Sequence, residues 1–192
     1  MTLKVRPLTP ALWPQLEELF GANGACGGCW CMFWRIGTAY QKTPAAKNKA
    51  AFKSVVKKGP PPGLLAFDGD IVVGWVQVTP RVALPGLDRS RMTARVDDAP
   101  VWSISCFYIR KGWRGKGVMT ALIEGAAAFA KKAKAPALEA YPVKTTAKKS
   151  TTSIYTGVAS SFAKAGFETV AAHVGHRPIM RRQFVRARKA AA

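Results

Sequence analysis

The chain has 192 residues, 48% of them apolar, and sets thirty Lys and Arg against ten Asp and Glu, a net charge of +20. That length suits one domain with a full core, and the composition excludes a disordered chain. No apolar run approaches the ~20 residues of a membrane span, and the opening "MTLKVRPLTP" lacks the apolar core of a signal peptide, so a cytoplasmic protein with no membrane partner is expected.

"LKVRPLT" (3–9) reads as a first strand. Thr9 and Pro10 then open a helix with Leu12, Leu16, Leu19 and Phe20 on its apolar stripe. A Gly/Cys/Trp segment covers 21–37. Thr43 and Pro44 open a lysine-rich helix with Ala51, Phe52, Val55 and Val56 inward, stopped by Gly59. "GLLAFDGDIVVGWVQVTPR" (63–81) is a hairpin turning on Asp68-Gly69, a pair suited to positive φ. Residues 82–99 read as a long polar loop. A strand at 101–109 leads through a glycine turn into a helix at 115–133. Then come a strand at 137–143, a polar loop "KTTAKKSTTS", a helix at 154–166, and strands at 167–174 and 177–185, with a basic tail at 186–192. Strands and helices alternate in the second half, which predicts a mixed α/β sheet with helices on both faces. Residues 1–185 are read as a single domain.

The positive field would attract polyanions such as nucleic acid or a phosphorylated cofactor. The lysines lie on several elements rather than one stripe, so solvated surface is the plainer reading. A basic nucleic-acid-binding protein remains an alternative, though no recognised binding motif supports it.

The stretch "YIRKGWRGKGVMTALIEGA" (108–126) passes from a strand through glycines and cations into a helix. The first amides of a helix have no internal partner, and the helix dipole adds positive potential there. Gly115 and Gly117 let an anion approach the backbone closely, while Lys111, Arg114 and Lys116 add charge. Val118, Leu122, Ala126, Phe129 and Ala133 recur at helical spacing and should pack on the sheet. This predicts a diphosphate cradle at the carboxyl end of strand 101–109. It is not a nucleotide-binding lysine loop, since Lys116 is followed by Gly117. It is not a dinucleotide fingerprint either, since "GKGVMT" lacks the third glycine.

"YIRKGWRGKGVMTALI" resembles the acyl-CoA-binding motif of the GNAT superfamily of N-acyltransferases, [Q/R]-x-x-G-x-[G/A] between a strand and an amphipathic helix. Arg114 and Gly117 match; Met119 stands where Gly or Ala is usual. The element order over about 3–185, "AGF" at 165–167, and "GACGGCWCMFW", similar to a stretch in uncharacterised bacterial members, extend the likeness. The resemblance implies a mostly antiparallel sheet of six to seven strands with about four helices, splayed between strands 101–109 and 137–143. It implies acetyl-CoA as co-substrate and no metal. The amides of Arg114, Gly115, Lys116, Gly117, Val118 and Met119 would hold the pyrophosphate, and Phe107, Tyr108 and Ile109 would pair with the pantetheine arm. A backbone N–H near Tyr108 would stabilise the oxyanion. The acceptor would be a small-molecule or peptide amine attacking directly.

For proton transfer, Glu139 is the acidic candidate, as it lies on the strand predicted to line the gap. Tyr155 is the candidate for protonating the leaving thiolate, because Phe162 occupies the place where members often carry tyrosine. Trp30, Phe33 and Trp34 are candidates for an aromatic lid over the acceptor pocket. Cys26, Cys29 and Cys31 are too closely spaced for two zinc-binding pairs; a thiol nucleophile or buried packing thiols are the other readings, and Cys106 is read as core. A non-catalytic acyl-CoA binder is the remaining alternative. A homodimer through an edge strand would leave no clear mark in the sequence.

Overall fold

The computed structural model describes residues 2–144 and 154–184. Residues 145–153 of the polar loop and the basic tail 186–192 lie outside them. Seven strands form one sheet: β1 Leu3–Pro7, β2 Gly63–Asp68, β3 Ile71–Pro80, β4 Trp102–Ile109, β5 Ala137–Ala140, β6 Glu168–Val174 and β7 Arg177–Gln183. Their spatial order is β1-β2-β3-β4-β5-β7-β6. Neighbours are antiparallel except β4 and β5, which run parallel. Among the described residues the helices are α1 Trp13–Phe20, α2 Phe33–Ile36, α3 Ala39–Lys42, α4 Ala45–Lys58, α5 Val118–Lys132 and α6 Ala159–Lys164. This is the mixed, mostly antiparallel sheet the sequence predicts, with two extra single-turn helices, α2 and α3.

Strand period sets the two faces. In β2, Leu64 and Ala66 point one way and Leu65 and Phe67 the other, so the strand is buried on both sides. The first face packs against Val118, Leu122, Ile123, Ala126 and Ala130 of α5. The second packs against Trp13, Leu16, Leu19 and Phe20 of α1 and Phe52 and Val56 of α4. Two stripe positions differ from expectation: Ala51 and Ala133 are exposed. The capping reading also differs. Thr9 makes no side-chain cap bond, and Thr43 Oγ1 donates back to the Ala39 carbonyl at 2.9 Å, leaving Pro44 as the cap of α4.

Helix α5 sits close to the sheet because Gly74 of β3 has no side chain. A Cβ there would meet Val118 Cγ1 at 2.7 Å and Leu122 Cδ1 at 3.1 Å. Gly74→Ala is therefore expected to destabilise the protein by about 2 kcal/mol through overpacking, read as a lower denaturant midpoint at unchanged m-value.

Strands β4 and β5 pair only through Trp102–Leu138, Ser103–Glu139 and Ile104–Ala140. Beyond that they part, and the chain at 154–159 wedges between them. The Phe107 N–H donates to the Tyr155 carbonyl at 2.7 Å, the Val143 N–H to the Gly157 carbonyl at 3.0 Å, and the Ala159 N–H to the Val143 carbonyl at 3.0 Å. The predicted helix 154–166 therefore begins only at Ala159, and Tyr155 lies in the turn ahead of it.

Candidate active site

The turn expected to cradle a diphosphate lies where β4 hands over to α5. Gly115 and Gly117 take φ of +75° and +79°, the left-handed region that a side chain disfavours. Gly117 is the N-cap of α5 and supplies no capping side chain, so the first amides of the helix point outward without an internal partner. A Cβ added at either glycine would meet nothing within 4 Å, so the space before these amides is open. Arg114 Nε donates to the Ile109 carbonyl at 3.3 Å, tying the turn to the strand end. Lys116 stacks its ammonium over the Trp113 ring at 5.3 Å.

A cavity of about 650 Å³ runs from this turn along the end of β4 to the Gly/Cys/Trp segment. Of the cradle residues, Arg114, Gly115, Gly117, Val118 and Met119 line it, and so do Phe107, Tyr108 and Ile109. Lys116 is not among the lining residues. Met119 lines the cavity half-buried rather than pointing away.

At the far end the cavity is closed by α2, α3 and the segment before them. Phe33, Trp34, Tyr40, Cys26, Cys29 and Cys31 line it there, facing Tyr155 and Ile154 of the wedge. Trp30 does not line it. It is 3% exposed and stacked in the core between Trp13 (6.0 Å) and Phe20 (5.5 Å), so it anchors the covering segment rather than the acceptor. A chain of hydrogen bonds fixes the same segment to the sheet. Trp34 Nε1 donates to the Ser105 carbonyl (3.1 Å), Ser105 Oγ to Gln77 Oε1 (2.8 Å), and Gln77 Nε2 to the Cys31 carbonyl (3.2 Å).

Cys106 also lines the cavity, which corrects its reading as core beside Trp102 and Ile104. Gln77 pairs with Cys106 and Val78 with Ile104, so Ser105 is an extra residue in β4. That bulge flips every later side chain to the opposite face. Phe107 joins Trp102 and Ile104 in the α5-side core, while Cys106 and Tyr108 face the α1 side.

Two of the thiols here, Cys29 and Cys31, are kept protonated. Burial, with Cys31 and Cys26 alongside, pushes the Cys29 thiol up to about 12. Burial and the neighbouring Cys106 push Cys31 well above its ordinary value, although Trp75 Nε1 donates to its Sγ at 3.1 Å. A thiolate nucleophile is disfavoured by that environment. Burial likewise raises the Tyr155 phenol. Among the described residues no group of three or more His, Cys, Asp or Glu could hold a metal ion.

Glu139 is placed elsewhere. It is 2% exposed and does not line the cavity. Its Oε1 accepts from Arg181 Nε (3.1 Å) and Nη2 (2.6 Å), and its Oε2 from Arg81 Nη1 (3.3 Å) and the Tyr141 hydroxyl (3.1 Å). Arg81 also holds Asp88, and Arg181 also holds Asp97. The carboxylate that the sequence offered as a base is thus the centre of an ion network below the fork of β4 and β5. Gln77 and the bulge at Ser105 were missed in the sequence; a lone polar residue within "IVVGWVQV" was the available sign of the first.

The sequence matches the model of the acetyltransferase (GNAT) family over residues 29–151. The chain belongs to the GNAT family. Solved structures with the same fold include the PaiA N-acetyltransferase of Thermoplasma acidophilum in complex with coenzyme A, 15% identical, with 96% of this chain and 100% of that chain covered at a TM-score of 0.54. A GCN5-related N-acetyltransferase of Kribbella flavida is 19% identical over 95% and 98% of the two chains, TM-score 0.56. The yncA protein of Salmonella typhimurium, solved with its cofactor acetyl-CoA, is 13% identical over 97% and 96%, TM-score 0.57. No curated protein matches the sequence. As a GNAT chain it has its glycine turn and forked sheet inside or beside the matched span, and no described helix is long and apolar enough to cross a membrane.

Proposed function

We propose that this chain transfers the acetyl group of acetyl-CoA to an amine by direct attack, with residues 1–185 acting as one catalytic domain. The observation that carries the reading is the open turn at Gly115 and Gly117, continuous with a cavity lined by the end of β4. The pyrophosphate is held by the outward amides of 114–119, and Arg114 keeps that turn against the strand. The pantetheine arm lies along Phe107–Ile109, on the cavity side of the wedge. The Phe107 N–H points into the fork, toward the Tyr155 carbonyl. Taken over by the thioester carbonyl, it polarises that group and holds the oxyanion. The amide near Tyr108 expected for this role is then that of Phe107.

Tyr155 faces the cavity from the wedge, and burial keeps its phenol protonated. It donates a hydrogen bond to the departing thiolate. Tyr155→Phe is expected to lower kcat at least about ten-fold and to leave the acetyl-CoA Kd unchanged by calorimetry. Phe33 lines the acceptor end, far along the cavity from the cradle. Phe33→Ala is expected to raise the acceptor KM about ten-fold, in line with a lost aromatic contact, with the acetyl-CoA Kd again unchanged.

The test of the reaction is incubation with acetyl-CoA and a panel of amines, measuring free coenzyme A and acetylated amine together. Stoichiometric formation of both supports the proposal. Tight acetyl-CoA binding with no acetylated product across the panel contradicts it.

A further inference from the structure

No acidic side chain and no histidine lines the cavity. The undescribed residues do not supply one, because 145–153 read "TTAKKSTTS" and 185–192 read "VRARKAAA". All ten Asp and Glu and both His therefore lie among the described residues, away from the cavity wall. What faces the acceptor end is Cys26, Cys29 and Cys31 from the covering segment and Cys106 from β4. Tyr40 of α3, Tyr108 of β4 and Tyr155 of the wedge add hydroxyls, and the cation Arg114 stands at the cradle end. Buried Cys31 and half-buried Cys29 and Tyr155 are held protonated.

Two consequences follow for an amine that must attack. An alkylamine resembles the lysine side chain, so only about one molecule in a thousand is neutral near pH 7. With no carboxylate or imidazole on the wall to take its proton, that proton has to pass to water before the nitrogen can attack. Its ammonium form would also enter without a counter-charge, inside a chain of net charge +20. The aromatic wall partly offsets this, but a desolvated cation–π contact is worth about 2 kcal/mol against an effective penalty of several kcal/mol for burying an ion. Desolvation wins.

We infer that the acceptor is an aromatic amine, with its nitrogen on the ring and uncharged at neutral pH, that lies against the wall formed by Phe33, Trp34 and Tyr155. Delocalisation into the ring keeps such a nitrogen neutral without a base. The flat ring suits a wall of aromatic and thiol groups. The proton lost after attack leaves through solvent, since the tetrahedral intermediate is far more acidic than the free amine. The inference rests on the amine-acetylation reading and narrows it.

The test uses the isomers 4-methylaniline and benzylamine, which share one molecular formula, with a lysine-containing peptide as a third acceptor. Wild-type protein is assayed with acetyl-CoA from pH 6.5 to 7.5, and acetylated product is measured by mass. At pH 7 the expected kcat/KM for 4-methylaniline exceeds that for benzylamine by at least about ten-fold, because its neutral fraction and the burial penalty spared by an uncharged acceptor outweigh its weaker nucleophilicity. Its rate should change less than about two-fold across the range, while that of benzylamine climbs nearly ten-fold as its neutral fraction grows. Benzylamine or the peptide matching 4-methylaniline at pH 7 would overturn the inference and leave amine acetylation standing. No product from any of the three would overturn both.

Discussion

Gly115→Val and Gly117→Val are each expected to raise the acetyl-CoA dissociation constant about a hundred-fold. Two effects act together. A β-branched residue at φ near +75° or +79° is pushed out of the left-handed region, at roughly 1–2 kcal/mol. The new side chain also fills the open space in front of the helix amides, and each charge-assisted hydrogen bond lost to a phosphate costs about 1.5–3 kcal/mol. Lys116→Ala is the contrast. Its ammonium is exposed and rests on Trp113, so its loss should weaken binding only about three-fold, as for an exposed, salt-screened charge. Calorimetric titration of the three variants reads this ranking directly. A larger effect at Lys116 than at the glycines would place the anion elsewhere.

Glu139→Ala is expected to lower stability by about 3 kcal/mol, the low end of the range for breaking a buried ion pair. For a chain of this size that is a fall in Tm of about 6–12 °C. Arg81 and Arg181, 3% and 7% exposed, lose their shared carboxylate. The loss stays at the low end because Asp88, Thr93 and Asp97 still hold them. The conservative Glu139→Gln separates this role from catalysis. A general base replaced by an amide would lose about 10²–10⁴ in kcat; a network residue should leave kcat per folded molecule within about two-fold. The same network predicts acid lability. Hydrogen bonds from Arg181 hold the Asp97 carboxyl below its ordinary range. At Asp88 burial opposes the shift, but bonds from Arg81 and Arg95 outweigh it. Carboxyls lowered in the folded state contribute stability that is complete above the unfolded value, about 4, and is lost as pH falls through the lower folded value. Melting temperature should therefore hold between about pH 7 and 5 and fall below.

The glycine turn was legible because its geometry is local. Glycines at 115 and 117 between an apolar strand and an amphipathic helix need no distant partner to fix their meaning. Element order was legible for a similar reason, since hydrophobic period and turn residues mark each segment. What escaped was set by register and long-range contact. The extra residue at Ser105 exists only relative to β3, and it alone decides that Cys106 faces the cavity and Phe107 the core. Glu139 looked like a gap-lining carboxylate until Arg181, 42 positions away, and Arg81, 58 away, closed on it. Tyr155 was placed on a helix that starts four residues later, because the segment 154–158 closes a turn from the Gly157 N–H to the Ile154 carbonyl and gives its Tyr155 and Gly157 carbonyls to partners across the fork. Trp30 shared a run of aromatics with Phe33 and Trp34, yet only packing against Trp13 and Phe20 shows which of them turns inward.

Amide hydrogen exchange with and without saturating acetyl-CoA tests the central claim most directly. Exchange should slow most at the amides of 114–119 and along Phe107–Ile109, the two stretches proposed to grip the diphosphate and the arm. Protection confined to other parts of the chain, or none at a concentration where calorimetry detects binding, would contradict the account.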